Sequence, residues 1–269
     1  MRKFKKGYIV LMCIMLMFTF TACKNDNEAV SILKESSAEF SKAKSIRTSI
    51  DIDALYEKVN NSTGIKMFFE LENTSDPLAG HAVGFSLFDI GGRKSGGVIE
   101  IFQVVEDGET YTYSRVNDTW TKEKAELSES DHGIKSEFLD PDKKPKKFTL
   151  KENLVTIREK ECYELSGFMT GKDVMNIFDI RTVNNLADME TPDTDKIGKS
   201  QIPFIINVEK ESLLPSRIYI DMTDALNDIY NEMDENSSVS KFTITVDYED
   251  YDNISEITVP DEVKQEAKW

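Results

Sequence analysis

Cysteine and histidine are nearly absent from this chain, with three of the first and two of the second in 269 residues. Cys13 falls in an apolar N-terminal block and Cys23 just after it, so Cys162 stands alone in the body and no disulfide framework is available. His81 and His132 are far apart in sequence, and a zinc site needs several nitrogen or sulfur ligands. Cys162 sits in "EKECYELSG", alternating with apolar and charged neighbours, which makes it a small buried core residue rather than a histidine-activated nucleophile. Positive charge is short as well. Lys and Arg total 33 against 49 Asp and Glu, for a formal charge of −16. A chain this acidic is repelled by nucleic acid and by anionic headgroups, so neither binds it by charge. Long apolar runs are missing too. The only uncharged apolar block, from Tyr8 to Ala22, falls short of the roughly 20 residues that a membrane-spanning helix needs.

Catalytic signatures are equally scarce. In "GFSLF", Phe88 stands where a nucleophile elbow needs its second glycine. "GGRKSGG" has glycine pairs but no following Lys-Ser/Thr, so it is a hairpin or loop and not a phosphate cradle. "DTDKIG" places Asp193, Asp195 and Gly198 as a calcium loop would, yet the twelfth position is Phe204, which offers no carboxylate. Acidic "DYEDYDNISE" is a solvated strand face. No metal, no cofactor and no enzymatic activity are expected.

What is present begins at the N-terminus. Arg2, Lys3, Lys5 and Lys6 precede the apolar block, which ends in "FTAC". A basic start, a short apolar core and a small residue at its end have the pattern of a secretory signal. The boundary resembles a lipobox, the processing site of bacterial lipoproteins, with Phe20 where leucine is more usual. That resemblance implies cleavage between Ala22 and Cys23 and a diacylglyceryl group on the Cys23 sulfur. Residues 1–22 are then a signal peptide, 23–27 a lipidated N-terminus with a short tether, and 28–269 a single domain. Two acyl chains suffice for stable anchoring, so the expected location is the extracytoplasmic face of the cell membrane. Losing the four basic residues of the signal takes the charge from −16 to −20.

Past the tether, Ala29, Leu33, Ser36, Phe40 and Ala43 recur at helical spacing, with Asp26 or Asn27 to cap the helix. From Ile46 the period becomes two. Ile50, Ile52 and Ala54 alternate with Asp51 and Asp53; Ile65, Met67, Phe69 and Leu71 alternate with Lys66, Phe68, Glu70 and Glu72. "NNSTG" between them is a turn. "AVGFSLFDI", "GGVIEIFQVV", "ETYTYSRV" and "TWTKEK" continue the strands, with "SDPLAGH" and "GGRKSGG" as loops. Residues 127–147, with Pro141, Pro145 and "DKKPKK", form a connecting segment, either a lid or a solvated loop. Two strands follow, then a helix in "TGKDVMNIFDIRTVNNLADME", broken by "TPDTDKIGKS". A strand pair spans "IPFIINVEKESLLPSRIYIDMTDAL", and "NDIYNEMDENSS" reads as a polar stretch. In the last long strand Phe242, Ile244, Val246 and Tyr248 alternate with Lys241, Thr243, Thr245 and Asp247, before a short strand, Pro260 at a helix start and a tail helix. About ten alternating strands with few helices predict an α+β protein whose antiparallel sheet covers one face with helices.

The order of these parts, with "KAKSIRTSIDID", "GETYTYSRVNDTWTKEK", "YELSGFMTGKDVMNIF", "LLPSRIYID" and "VDYEDYDNISEITVPDEV", resembles bacterial lipoproteins of the LolA/LppX-like superfamily, in particular their Gram-positive members. The resemblance implies a strongly curved antiparallel sheet, an incomplete barrel with helices on its concave side, and a cavity between them that holds an acyl chain or lipid. Met67, Phe69, Leu71, Ile101, Tyr113, Ile218, Ile220 and Phe242 are the candidate cavity lining; the other reading of each is a dry core position. The rival to a ligand carrier is a ligand-free scaffold that docks another envelope protein or a signalling ectodomain.

Overall fold

A computed structural model describes residues 28–59, 61–116, 118–125, 148–177 and 192–268. The expected signal peptide, Cys23, the expected tether, the 127–147 segment and the expected helix beyond residue 177 lie outside the described residues. No helix among the described residues is long and apolar enough to cross a membrane.

Helix α1 (28–40) is followed by six strands in a meander: β1 (Ser45–Lys58), β2 (Asn61–Ser75), β3 (Leu78–Ile90), β4 (Arg93–Glu106), β5 (Glu109–Val116) and β6 (Thr119–Ala125). Short β7 (Thr149–Leu150) and β8 (Val155–Ile157) precede β9 (Lys160–Thr170), α2 (Gly171–Ile177) and α3 (Thr194–Lys199). Then come β10 (Gln201–Glu209), β11 (Pro215–Asp221), α4 (Thr223–Met233), β12 (Ser237–Glu249) and α5 (Asp261–Glu266). All twelve strands join one sheet in the order β6-β5-β4-β3-β2-β1-β12-β11-β10-β9-β7, with β8 on β9, and each ladder is antiparallel. Edges β6 and β7 do not pair with each other, so the sheet is an open, incomplete barrel. The α+β class expected from alternation is therefore the observed one, with twelve strands in place of about ten.

Alternation gives the sheet two faces, and the register joins them across strands. Ile52 of β1 pairs Met67 of β2 on one side and Ile244 of β12 on the other. These continue into Ile220 and Phe204 to make a single apolar face. On it sit Ala29, Ile32 and Leu33 of α1, Val174 of α2, Ile197 of α3, and Leu226, Ile229 and Tyr230 of α4. This is the main core. A second, smaller cluster lies on the opposite face, where Ile257, Val259 and Val263 of the C-terminal segment cover Phe102, Tyr113 and Trp120.

Several local expectations give way. "SDPLAGH" and "GGRKSGG" are mostly strand: β3 begins at Leu78 and β4 at Arg93, and only the tight turns at their starts remain. Gly91 and Gly92 make the second turn with φ of 57° and 81°, a conformation glycine adopts without steric cost. The end of the expected strand pair, from Thr223, and the first part of the polar stretch, to Met233, are helix α4. Its Leu226, Ile229 and Tyr230, three and four residues apart, are buried, and Asp221 accepts a hydrogen bond from the Thr223 N–H at 3.0 Å. "DTDKIG" is helical as well: Asp193 caps α3, its Oδ1 accepting from the backbone of Asp195 at 2.9 Å and of Lys196 at 3.3 Å. The segment before Pro260 is not a strand, and Pro260 is the N-cap of α5 rather than its first residue.

Candidate functional site

The eight residues expected to line a cavity divide into three groups. Met67, Ile218, Ile220 and Phe242 face the helices and are sealed in the main core, none more than 2% exposed. They are packing positions. Phe69, Leu71 and Ile101 share that face further out and are half-buried. The Phe69 ring occupies the space beside Gly84, the residue opposite it on β3, where a Cβ would stand 2.2 Å from Cδ1 of the ring. Tyr113 is on the other face. Ile101 pairs Ser114, whereas Tyr113 pairs Phe102, and Phe102 pairs His81. Tyr113 therefore belongs to the cluster beneath the C-terminal segment and lines nothing with the other seven.

That cluster is held by charge. The Glu106 carboxylate accepts from Tyr113 Oη at 2.9 Å and Lys122 Nζ at 3.0 Å, and Lys264 Nζ of α5 lies 2.9 Å from its other oxygen. Burial alone would raise this carboxyl, but the hydrogen bonds from Lys264, Lys122 and Tyr113 outweigh it and hold it at about 2. A parallel bridge between Thr121 and Lys268 fixes the chain end against β6. The arrangement is a clamp of hydrogen bonds and ion pairs centred on Glu106.

An open concavity lies elsewhere on this outer face, over β9, β10 and β11. A groove of about 510 Å³ is bordered by Ser166, Phe168, Pro203, Ile205, Tyr219 and Asp221. The ladders build it. Phe168 pairs Pro203, Ser166 pairs Ile205, and Ile205 pairs Tyr219, so alternate residues of three neighbouring strands project to the same side. Phe168 is 57% exposed, an unusual state for phenylalanine in a regular strand. Burial, and then the nearby Asp221, raise the Tyr219 hydroxyl above its ordinary range, so it stays protonated and available as a donor. One Asp221 oxygen accepts from the Thr223 N–H at the start of α4, which puts a carboxylate at the rim of a mostly apolar hollow. Covering what remains exposed of the Phe168 ring with an apolar ligand is worth about 1–2 kcal/mol. Sequence reasoning passed over Phe168 because its place in "LSGFMTG" carries no motif; the one available signal was an apolar residue on the polar side of a strand.

A family of unknown function, DUF6612, matches residues 28–268. The chain belongs to this family. No curated protein matches the DUF6612 chain. Among solved structures it is similar to the lipoprotein LppX of Mycobacterium tuberculosis, at 12% identity and TM-score 0.48 over 87% of this chain and all of the other. LprF of Mycobacterium bovis is similar at 15% identity and TM-score 0.45, over 87% of this chain and 97% of that one.

His81 stacks on Phe102 with ring centroids 4.2 Å apart, and its Nε2 lies 3.1 Å from Glu100. Cys162 is fully buried, which raises its thiol above the ordinary range. Arg217 donates two hydrogen bonds to Asp247, at 2.6 and 2.9 Å, tying β11 to β12 on the outer face. No group of three or more His, Cys, Asp or Glu among the described residues is arranged to hold a metal ion.

Proposed function

We propose that this protein is an extracytoplasmic lipoprotein, anchored through Cys23, that binds an apolar ligand such as an acyl chain or lipid and carries or presents it. The observation that carries the reading is Phe168, an exposed aromatic ring in an apolar groove built from regular strands. A rigid sheet holds such a groove open without cost to the fold, and a desolvated ligand gains by covering it. The "FTAC" boundary supports the anchor, since a basic start and a short apolar core lead directly to Cys23. The groove is on the outer face, not between sheet and helices where the family resemblance would have it.

The test is binding of a fluorescent fatty acid to the soluble chain starting at residue 24. Phe168→Ala should weaken binding about ten-fold, the effect of losing ~1.5 kcal/mol of apolar contact. Wild-type protein that takes up no probe would rule out the carrier.

A specific observation favours a second reading, the docking scaffold. Phe85 is 50% exposed and stacks on Phe68 with ring centroids 5.7 Å apart. Val83, Leu87 and Val98 are exposed on the same face of β3 and β4. A contiguous apolar patch of this kind marks a protein contact. Under this reading Phe85→Glu abolishes crosslinking to an envelope protein and leaves probe binding unchanged.

A further inference from the structure

We propose that the polar end of the ligand in the Phe168 groove is a cationic amine, so that the site selects long-chain amines over fatty acids. The inference rests on the groove reading above and adds to it the chemistry of the ligand's head.

The pairings lay the groove out in two rows that cross the strands. Phe168 pairs Pro203, and the register that sets Phe204 against Ile220 brings Asp221 level with Pro203. In the next row Ser166 pairs Ile205, and Ile205 pairs Tyr219. Neighbouring strands are ~4.8 Å apart, so the exposed Phe168 ring and the Asp221 carboxylate stand at opposite ends of a row about 10 Å long. A groove of about 510 Å³ is of the size that takes one small ligand. An alkyl chain laid over Phe168 and Pro203 delivers its head to Asp221 and Tyr219.

Charge decides what that head is. No Lys, Arg or His is among the described residues that border the groove, and Asp221 is the one acid there. Its carboxylate accepts from the Thr223 N–H and enters no ion pair among the described residues. The cations on the surrounding outer face are already matched. Lys241 donates to Asp53 at 2.6 Å, and Lys66 lies 4.0 Å from the same carboxylate. Lys151 donates to Glu164 at 2.8 Å, while Arg217 and Arg158 both bind Asp247. Asp51, opposite Thr245 in the Tyr219 row, adds one more acid. Beyond the strand ends Lys172 and Lys199 stand against Asp195 and Asp224, and none of the four borders the groove. The lysines at 143, 144, 146 and 147, outside the described residues, precede Thr149 of β7, which is three strands, ~14 Å, from Asp221. A carboxylate head would be set against Asp221, on a chain whose formal charge is −16. An ammonium in the same place gains a charge-assisted hydrogen bond. A fatty acid still binds by its chain, but more weakly.

The test is calorimetric titration of the chain from residue 24, which contains both cores in full, with decylamine, decanol and decanoate at neutral pH. The three share one chain, and the amine is protonated there. Decylamine is expected to bind about ten-fold tighter than decanol, with decanoate the weakest. Asp221→Asn keeps the side chain's size and an oxygen for the Thr223 N–H. It should bring decylamine to within about two-fold of decanol and leave decanol unchanged. Asp228→Asn removes the same charge from the exposed side of α4 and should change nothing. Lysophosphatidylethanolamine separates the two sources of such a head. Binding as tight as that of decylamine identifies an amine-headed lipid, weaker binding a free amine, and both uphold the amine. Decanoate bound as tightly as decylamine, or an Asp221→Asn loss no larger than that of Asp228→Asn, overturns the amine head and leaves the groove standing. No binding of any of the three removes the groove as a ligand site, and the inference with it.

Discussion

Gly84 and Phe69 form a pair whose energetics follow from the structure. A Cβ on Gly84 would lie 2.2 and 2.7 Å from two Phe69 ring carbons and 3.0 Å from the Phe68 carbonyl oxygen. Carbon atoms pack best at ~3.5–4.0 Å, so the ring must move by more than 1 Å to make room, roughly the scale at which overpacking costs ~1–3 kcal/mol. Alanine returns ~0.5–1 kcal/mol because it loses less chain entropy than glycine in a strand. Gly84→Ala should therefore cost about 1–2 kcal/mol. Phe69→Ala removes a ring that is only half-buried, so its loss is near half the 3–5 kcal/mol of a buried phenylalanine, about 2 kcal/mol. In the double variant the new methyl enters the space the ring has left. It should cost no more than Phe69→Ala alone, a coupling of ~1–2 kcal/mol in its favour. Urea unfolding of the chain from residue 24, with the slope unchanged across variants, reads all three values. A double variant as costly as the sum of the singles would refute the packing argument. The same proteins locate the ligand site. Phe69 faces the helices, so Phe69→Ala should leave fatty-acid probe affinity within about two-fold, an effect of ~0.4 kcal/mol. A large change would return the site to the helix side of the sheet.

Cys23→Ala should stop acyl labelling and leave the precursor unprocessed on a gel; labelled, membrane-bound mature protein in that variant would end the lipoprotein reading. Glu106→Gln should cost on the order of 1–2 kcal/mol at neutral pH, well below the full value of its pKa shift because the site is partly wet. Since the folded carboxyl titrates at about 2 and an unperturbed one at 4.5, its stabilisation is complete above pH 4.5 and fades as pH falls towards 2. Wild-type and Glu106→Gln melting curves should converge over that window, and a difference that persists unchanged at the low end would contradict the clamp. Deleting residues 254–269 removes Trp269, so Trp120 becomes the sole tryptophan. With Ile257, Val259 and Val263 gone from its cluster, its emission should shift to the red and the protein should lose ~3 kcal/mol or more; an unshifted emission maximum would mean that the segment does not cover it.

Much of the fold is legible in local pattern. The alternation in β1, β2 and β12 correctly separates Ile52, Met67 and Ile244 from Asp53, Lys66 and Thr243, because the side-chain period of a strand is two whatever its partners. Helix α4 was missed, because its acids hid the helical spacing of Leu226, Ile229 and Tyr230 within a polar stretch. The candidate site was hardly legible. Five of its eight predicted residues are ordinary core, Tyr113 in the second cluster and the other four in the main one, and the groove that the structure presents is built around Phe168, which no motif marks.

By itself, the sequence determined the acidic character, the scarcity of histidine and cysteine, the lipobox-like boundary at Cys23, and the two sides of each long strand. These depend on neighbours within a few residues. Tertiary structure decided which side of one strand meets which side of the next. Tyr113 alternates as cleanly as Phe69, yet it faces the opposite way, because the β4–β5 ladder sets Phe102 against it and Ser114 against Ile101. A one-residue difference in register would have reversed that assignment. The groove is a product of the same choice, since Phe168, Pro203 and Tyr219 come from three strands and share a side only through their pairings.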